Sequence, residues 1–92
     1  GNDWWSFTFS ANQSMSKALV TVVAARDVAD LAINSVSCNV GSLTLIDSKD
    51  VSYNGGVYMR ARQYVWSGNG NPRVTVTGTS MVMDWCTIIK LA

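Results

Sequence analysis

The sequence predicts one small domain of the α+β class: a two-layer α/β-sandwich in which an antiparallel β-sheet carries one or two short helices and is closed by a single disulfide. Three observations lead there. The chain has 92 residues, enough for one modest core and no more, so residues 1–92 are read as a single domain. Several segments alternate apolar and polar residues with the period of two that marks a half-buried strand, and Gly, Asn, Ser and Pro separate them. One segment, Asp27 to Val36, spaces its apolar residues as a helix does.

In chain order, Trp4 to Phe9 sets Trp5, Phe7 and Phe9 against Trp4, Ser6 and Thr8, as in a strand with one buried face. Ser10 to Lys17 is turn-like. Ala18 to Ala25 reads two ways: its β-branched residues favour a strand, whereas Met15, Leu19, Val22 and Val23 also fit a helix, and the strand is preferred. Asp27 to Val36 is expected to be helical, with Asp27 as its cap, Asp30 near its positive end, and Val28, Leu31, Ala32 and Val36 on one face. Leu43 to Ile46 is a short strand. Asp47 to Asp50 reads as a turn, and Tyr53-Asn54-Gly55-Gly56 as another, since Asn-Gly suits positive φ. Val57 to Trp66, Arg73 to Thr77 and Met81 to Lys90 are expected strands. Loops at Ser67 to Pro72 and Gly78 to Ser80 would make the C-terminal half a meander.

Composition narrows the function. Hydrophobic residues make up 48% of the chain, as in a folded globule, but charged residues only 14%, with six Asp, no Glu and no His. Ser, Thr, Asn and Gly carry the polar surface, a pattern expected of a secreted, extracellular β-rich protein. A net charge of +1 from seven scattered basic residues supplies no basic patch for nucleic acid. The longest apolar candidate, Met81 to Ala92, is interrupted by Asp84 and Lys90 and is too short to span a bilayer. The chain starts at Gly1 without an initiator Met, as a processed product would.

Cys38 and Cys86 are expected to pair. Their bridge would close a loop of about 48 residues and stabilise the fold by roughly 4 kcal/mol in the chain-entropy account. Two cysteines without His do not complete a zinc site, and no other metal or cofactor is expected. Asn12-Gln13-Ser14 is a glycosylation sequon, which makes Asn12 a candidate surface attachment point.

Catalytic constellations are missing. Without His or Glu, proton transfer would fall to Asp, Lys or Tyr, and most of the Asp residues have structural explanations as caps or turn residues. Asp84, within an apolar strand, is expected to pair with an Arg or with backbone amides. The chain is therefore read as a binding protein and not an enzyme. Its most informative surface is Val57 to Trp66, where alternation places Val57, Met59, Ala61, Gln63 and Val65 on one face and Tyr58, Arg60, Arg62, Tyr64 and Trp66 on the other. With the first set against the core, the second would display rings interleaved with guanidinium groups, a mixture suited to recognition. The alternative is an ordinary sheet face with cation–π pairs. Trp4 or Trp5, whichever points outward, and Tyr53 beside the Asn54-Gly55-Gly56 turn could extend the patch.

Val23-Ala24-Ala25-Arg26-Asp27-Val28-Ala29-Asp30-Leu31, a strand running into an Asp-capped helix, followed by Gly56-Val57-Tyr58-Met59 and a closing strand with Trp85, resembles fungal and yeast killer toxins and related secreted fungal effector domains. The resemblance covers residues 18 to 90 by order of elements. It implies an α/β-sandwich and an antifungal, cytotoxic protein that binds a target cell surface and perturbs its membrane. Beside that toxin stand two other classes. One is a cell-wall or carbohydrate-binding module using the same rings on a surface glycan. The other is a structural or interaction protein, such as a pilus, capsid or inhibitor component, in which a second subunit or homo-oligomer would engage free strands.

Overall fold

Residues 4–26, 31–80 and 83–92 are described by a computed structural model, the side chains of Trp4 and Met83 excepted. They form seven strands: β1 (Trp4–Ser10), β2 (Met15–Ala25), β3 (Ala32–Cys38), β4 (Ser42–Tyr53), β5 (Gly56–Gly70), β6 (Arg73–Thr79) and β7 (Met83–Lys90). All pairings are antiparallel. The strands make two sheets, one ordered β1-β6-β3 and the other β4-β5-β2-β7.

The expected α+β architecture is thus corrected to all-β: no helix occurs among the described residues. Residues 27–30 of the expected helix lie outside the described set, but Ala32 to Val36 are strand. The cause is a β-bulge. The register shifts between Ile33 and Ser35, so Ile33 and Val36, three residues apart, sit opposite Gly78 and Val76 on one face. One extra residue in a strand reproduces the spacing of a helical turn. The expected turn at Asp47 to Asp50 is likewise part of β4, with a bulge at Ile46 resetting its phase. The expected loop at Ser67 to Pro72 shrinks to Asn71 and Pro72, because β5 runs on to Gly70.

The strand reading of Ala18 to Ala25 holds, as do the alternation of Trp5, Phe7 and Phe9 and the turn after Tyr53. Asn54 (φ 48°) and Gly55 (φ 79°) form the two-residue hairpin loop in which both central residues take positive φ. Every connection but this one passes between the sheets, so the C-terminal half is not a meander: β6 pairs in the three-stranded sheet before β7 returns beside β2.

The two sheets enclose one core. From the four-stranded sheet it takes Ala18, Val20, Val22, Ala24 and Trp66, and from the three-stranded sheet Val74 and Val76, with Phe7, Phe9, Val36, Tyr64 and Ile88 packed around them. The opposite side of the three-stranded sheet is hydroxyl-rich. There Ser6, Thr8, Thr75, Thr77, Ser35 and Ser37 share a face, and Thr8 and Thr75 hydrogen-bond at 3.0 Å.

Candidate functional site

The structure reverses the two faces of β5. Register with β2 places Trp66 beside Ala18, Tyr64 beside Val20, Arg62 beside Val22 and Arg60 beside Ala24, and all four β2 residues are fully buried. Large side chains of β5 thus lie across small ones of β2, filling the space between the sheets. Trp66 is completely buried and its indole N–H donates to the Val40 carbonyl at 2.8 Å. Tyr64 is half-buried, and burial raises its phenol above the ordinary range. Tyr58 is partly buried and meets Tyr53 edge to face at 6.0 Å.

Arg60 and Arg62 are occupied by one carboxylate. Their Nη1 atoms reach Asp50 at 2.7 and 2.8 Å, and Arg60 Nε also donates to the Leu31 carbonyl at 2.8 Å. The hydrogen bond from Arg62, with the charges of both arginines, holds the Asp50 carboxyl below its usual range against a smaller opposing push from burial. This triad satisfies charge at one end of the inter-sheet space and ties buried Leu31 to β5. Tyr58, Arg60, Arg62, Tyr64 and Trp66 therefore do not form an outward patch. Trp4 begins β1, and its side chain is outside the described set.

The expected disulfide is also corrected: Cys38 and Cys86 are free thiols. Cys38 lies in an edge strand of one sheet, on the side joined directly to β4. Cys86 lies in β7, separated from β4 by β5 and β2. The sandwich holds the two at opposite margins. Burial, and then the charge of Asp84, push the Cys86 thiol up to about 11, leaving it protonated and unreactive at neutral pH. Asp84 has no arginine partner among the described residues. Its Oδ2 is buried without a hydrogen bond, and burial raises its carboxyl. Asn12 is exposed in the β1–β2 turn with φ 58°.

The unpartnered surface is the other side of the four-stranded sheet. Register assigns to it Leu19, Thr21, Val23 and Ala25 of β2, Met59, Ala61, Gln63 and Val65 of β5, Asp47, Lys49 and Val51 of β4, and Trp85, Thr87 and Ile89 of β7. Among the described residues no third layer covers it. Trp85 is 57% exposed, Ile89 53%, Val51 47% and Met59 41%, four large apolar side chains on one sheet face, with the polar row Asp47, Gln63, Thr21 and Thr87 between Ile89 and the other three. Its central polar pair shares one hydrogen bond, from Gln63 Nε2 to Thr21 Oγ1 at 3.1 Å.

This face is not flat. Beside β4 lies a recess of about 140 Å³ lined by Thr21, Asp47, Lys49, Ala61 and Gln63, with Ser48 and Arg62 completing it. Trp85 stands at the opposite margin, in the same register row: Trp85 pairs with Val23, Val23 with Ala61, and Ala61 with Lys49. Of these residues the sequence singled out Arg62 alone as part of a site. The available signal was the second apolar row of β2, Leu19, Val23 and Ala25, which one buried face does not require.

No protein-family model, curated protein or solved structure matches the chain.

Proposed function

We propose that the chain is a non-enzymatic assembly module, the structural or interaction class among those its sequence admits, and that its working surface is the outer face of the four-stranded sheet. One observation carries this: a sheet face on which Trp85, Ile89, Val51 and Met59 are exposed and which the described residues leave uncovered. Such faces mark surfaces that function covered by another molecule. The face is favoured over the free edges of the same sheet. A bulge at Ile46 disrupts β4, and Lys49 and Asp50 lie along it, both features that discourage strand addition. An extracellular setting is supported by the scarcity of charge and the abundance of Ser, Thr and Asn. The ringed, cationic row through which a toxin or glycan binder would act is directed at the core.

Val51→Glu combined with Ile89→Lys tests the surface. The double variant is expected to retain the wild-type circular dichroism spectrum and to lose most of the fluorescence that the wild-type chain, diluted until it sediments as a monomer, gives with 1-anilinonaphthalene-8-sulfonate. Unchanged dye binding, or loss of folding, would refute the reading.

A further inference from the structure

Building on the reading of the outer sheet face as the working surface, we propose that its occupant is a second copy of this chain, docked face to face about a two-fold axis parallel to the strands, with Trp85 of each copy seated in the other's recess.

The arrangement follows from where the knob and the hole lie. Trp85 projects from one edge strand, β7, and the recess lies beside the other, β4, in the same row across the sheet. A two-fold axis along the strands at mid-sheet exchanges left for right and leaves height along the strands unchanged. It therefore brings β7 over the partner's β4 and β2 over the partner's β5. Trp85 then faces Lys49 and Ala61 of the other copy, and by symmetry the contact is made twice. Few other patches on a partner would meet both features at once.

The chemistry of each row agrees. In the Trp85 row an indole meets the Lys49 ammonium over the small Ala61, a cation–π arrangement that strengthens on desolvation. In the next row Thr87 of one copy faces Asp47 of the other, a hydroxyl donor opposite a carboxylate. Between them Leu19 opposes Val65, Val23 opposes Ala61 and Ala25 opposes Met59, all apolar. The Thr21–Gln63 pair enters with one hydrogen bond already made within each chain, and the symmetry sets the Thr21 O–H donor of one copy opposite the Gln63 amide of the other.

The area suffices. Four strands about 4.8 Å apart and about eight residues long at roughly 3.3 Å each cover about 500 Å² per copy, so some 1,000 Å² in total, the lower bound for a specific interface. A dimer of micromolar rather than obligate strength is the expectation.

Sedimentation velocity across a concentration series provides the first test, and site-directed cross-linking the second. Wild-type chain is expected to dimerise reversibly. Trp85→Ala, whose wild-type side chain is too exposed to support the fold, should weaken dimerisation by about thirty-fold or more at unchanged circular dichroism, and Lys49→Glu by about ten-fold. A short bismaleimide should join a mixture of Asp47→Cys and Thr87→Cys chains into covalent dimers beyond the wild-type thiol background. Neither variant alone should be joined.

A chain that stays monomeric to several hundred micromolar overturns the dimer. If the dye test above still succeeds, the apolar working surface stands and its occupant is a different protein. Dimerisation unaffected by Trp85→Ala, or cross-linking of either variant with itself, overturns the proposed geometry.

Discussion

At the scale of single residues, two carboxylates stand in opposite situations, Asp50 matched and Asp84 not. Asp50 is matched twice, by Arg60 and Arg62. Its lowered carboxyl means that this triad supports the fold above about pH 4 and ceases to do so as acid protonates it. Asp84 is the opposite case. Burial raises its carboxyl, so the folded state favours the protonated form, and stability on this account is greatest in acid and falls as pH rises through the folded value. Asp84→Asn should therefore raise Tm at pH 7, by a gain that solvent screening keeps under about 1 kcal/mol. The gain should shrink below about pH 4 and vanish by roughly pH 2.5, where Asp84 is neutral in folded and unfolded chains alike. Thermal melts at about pH 7 and about pH 2.5 measure both limits.

Among the elements, β5 and the turn that follows β3 depend on one another through Trp66. Its indole passes over two glycines: a Cβ at Gly68 would come within 2.7 Å of the Trp66 ring and 2.9 Å of the Gly41 Cα, and one at Gly41 would strike the Ser67 carbonyl. Gly41 also holds φ +70°, where side chains are strained. Gly41→Ala is thus expected to cost about 2 kcal/mol or more, visible as a lower urea midpoint with an unchanged m value. Gly68 was legible in the sequence only as a loop former and Gly41 not at all, because their purpose is set by a ring 25 positions from Gly41. Strand identity, by contrast, was largely legible. β1, β2, β5, β6 and the Asn54-Gly55 hairpin follow from alternation, β-branching and positive-φ chemistry, which are local. What failed were the bulged segments. In β3 the bulge made Ile33 and Val36 imitate a helix, and in β4 the bulge at Ile46 broke the alternation just where Asp47 and Asp50 suggested a turn.

For the whole molecule, the decisive quantity was which face of each strand points inward, and composition does not specify it for β5. Met59, Ala61 and Val65 make as apolar a row as many cores have, whereas Tyr58, Arg60, Arg62, Tyr64 and Trp66 look like a recognition surface. The choice is made across strands. Ala18 and Ala24 leave room for Trp66 and Arg60, Asp50 supplies the matching charge, and the Val40 carbonyl accepts from the indole. All of these partners lie on other strands or loops, and apart from Asp50 in the adjoining hairpin strand they are distant in the chain, so a one-strand reading places the larger side chains outside. The candidate surface inherited that inversion. The same misplacement explains the expected disulfide, since Cys38 and Cys86 both face inward but from opposite margins of the sandwich.

The orientation of β5 is most directly measured by comparing the unfolding free energies of Trp66→Ala and Met59→Glu in chains diluted to the monomeric state. Trp66→Ala should lose about 3–5 kcal/mol, as expected for a fully buried ring, while Met59→Glu should stay within about 0.5 kcal/mol of wild type. A large loss at Met59 with tolerance at Trp66 would show that the apolar row packs inside and the ringed row outside, and the sheet face proposed here as the working surface would not exist.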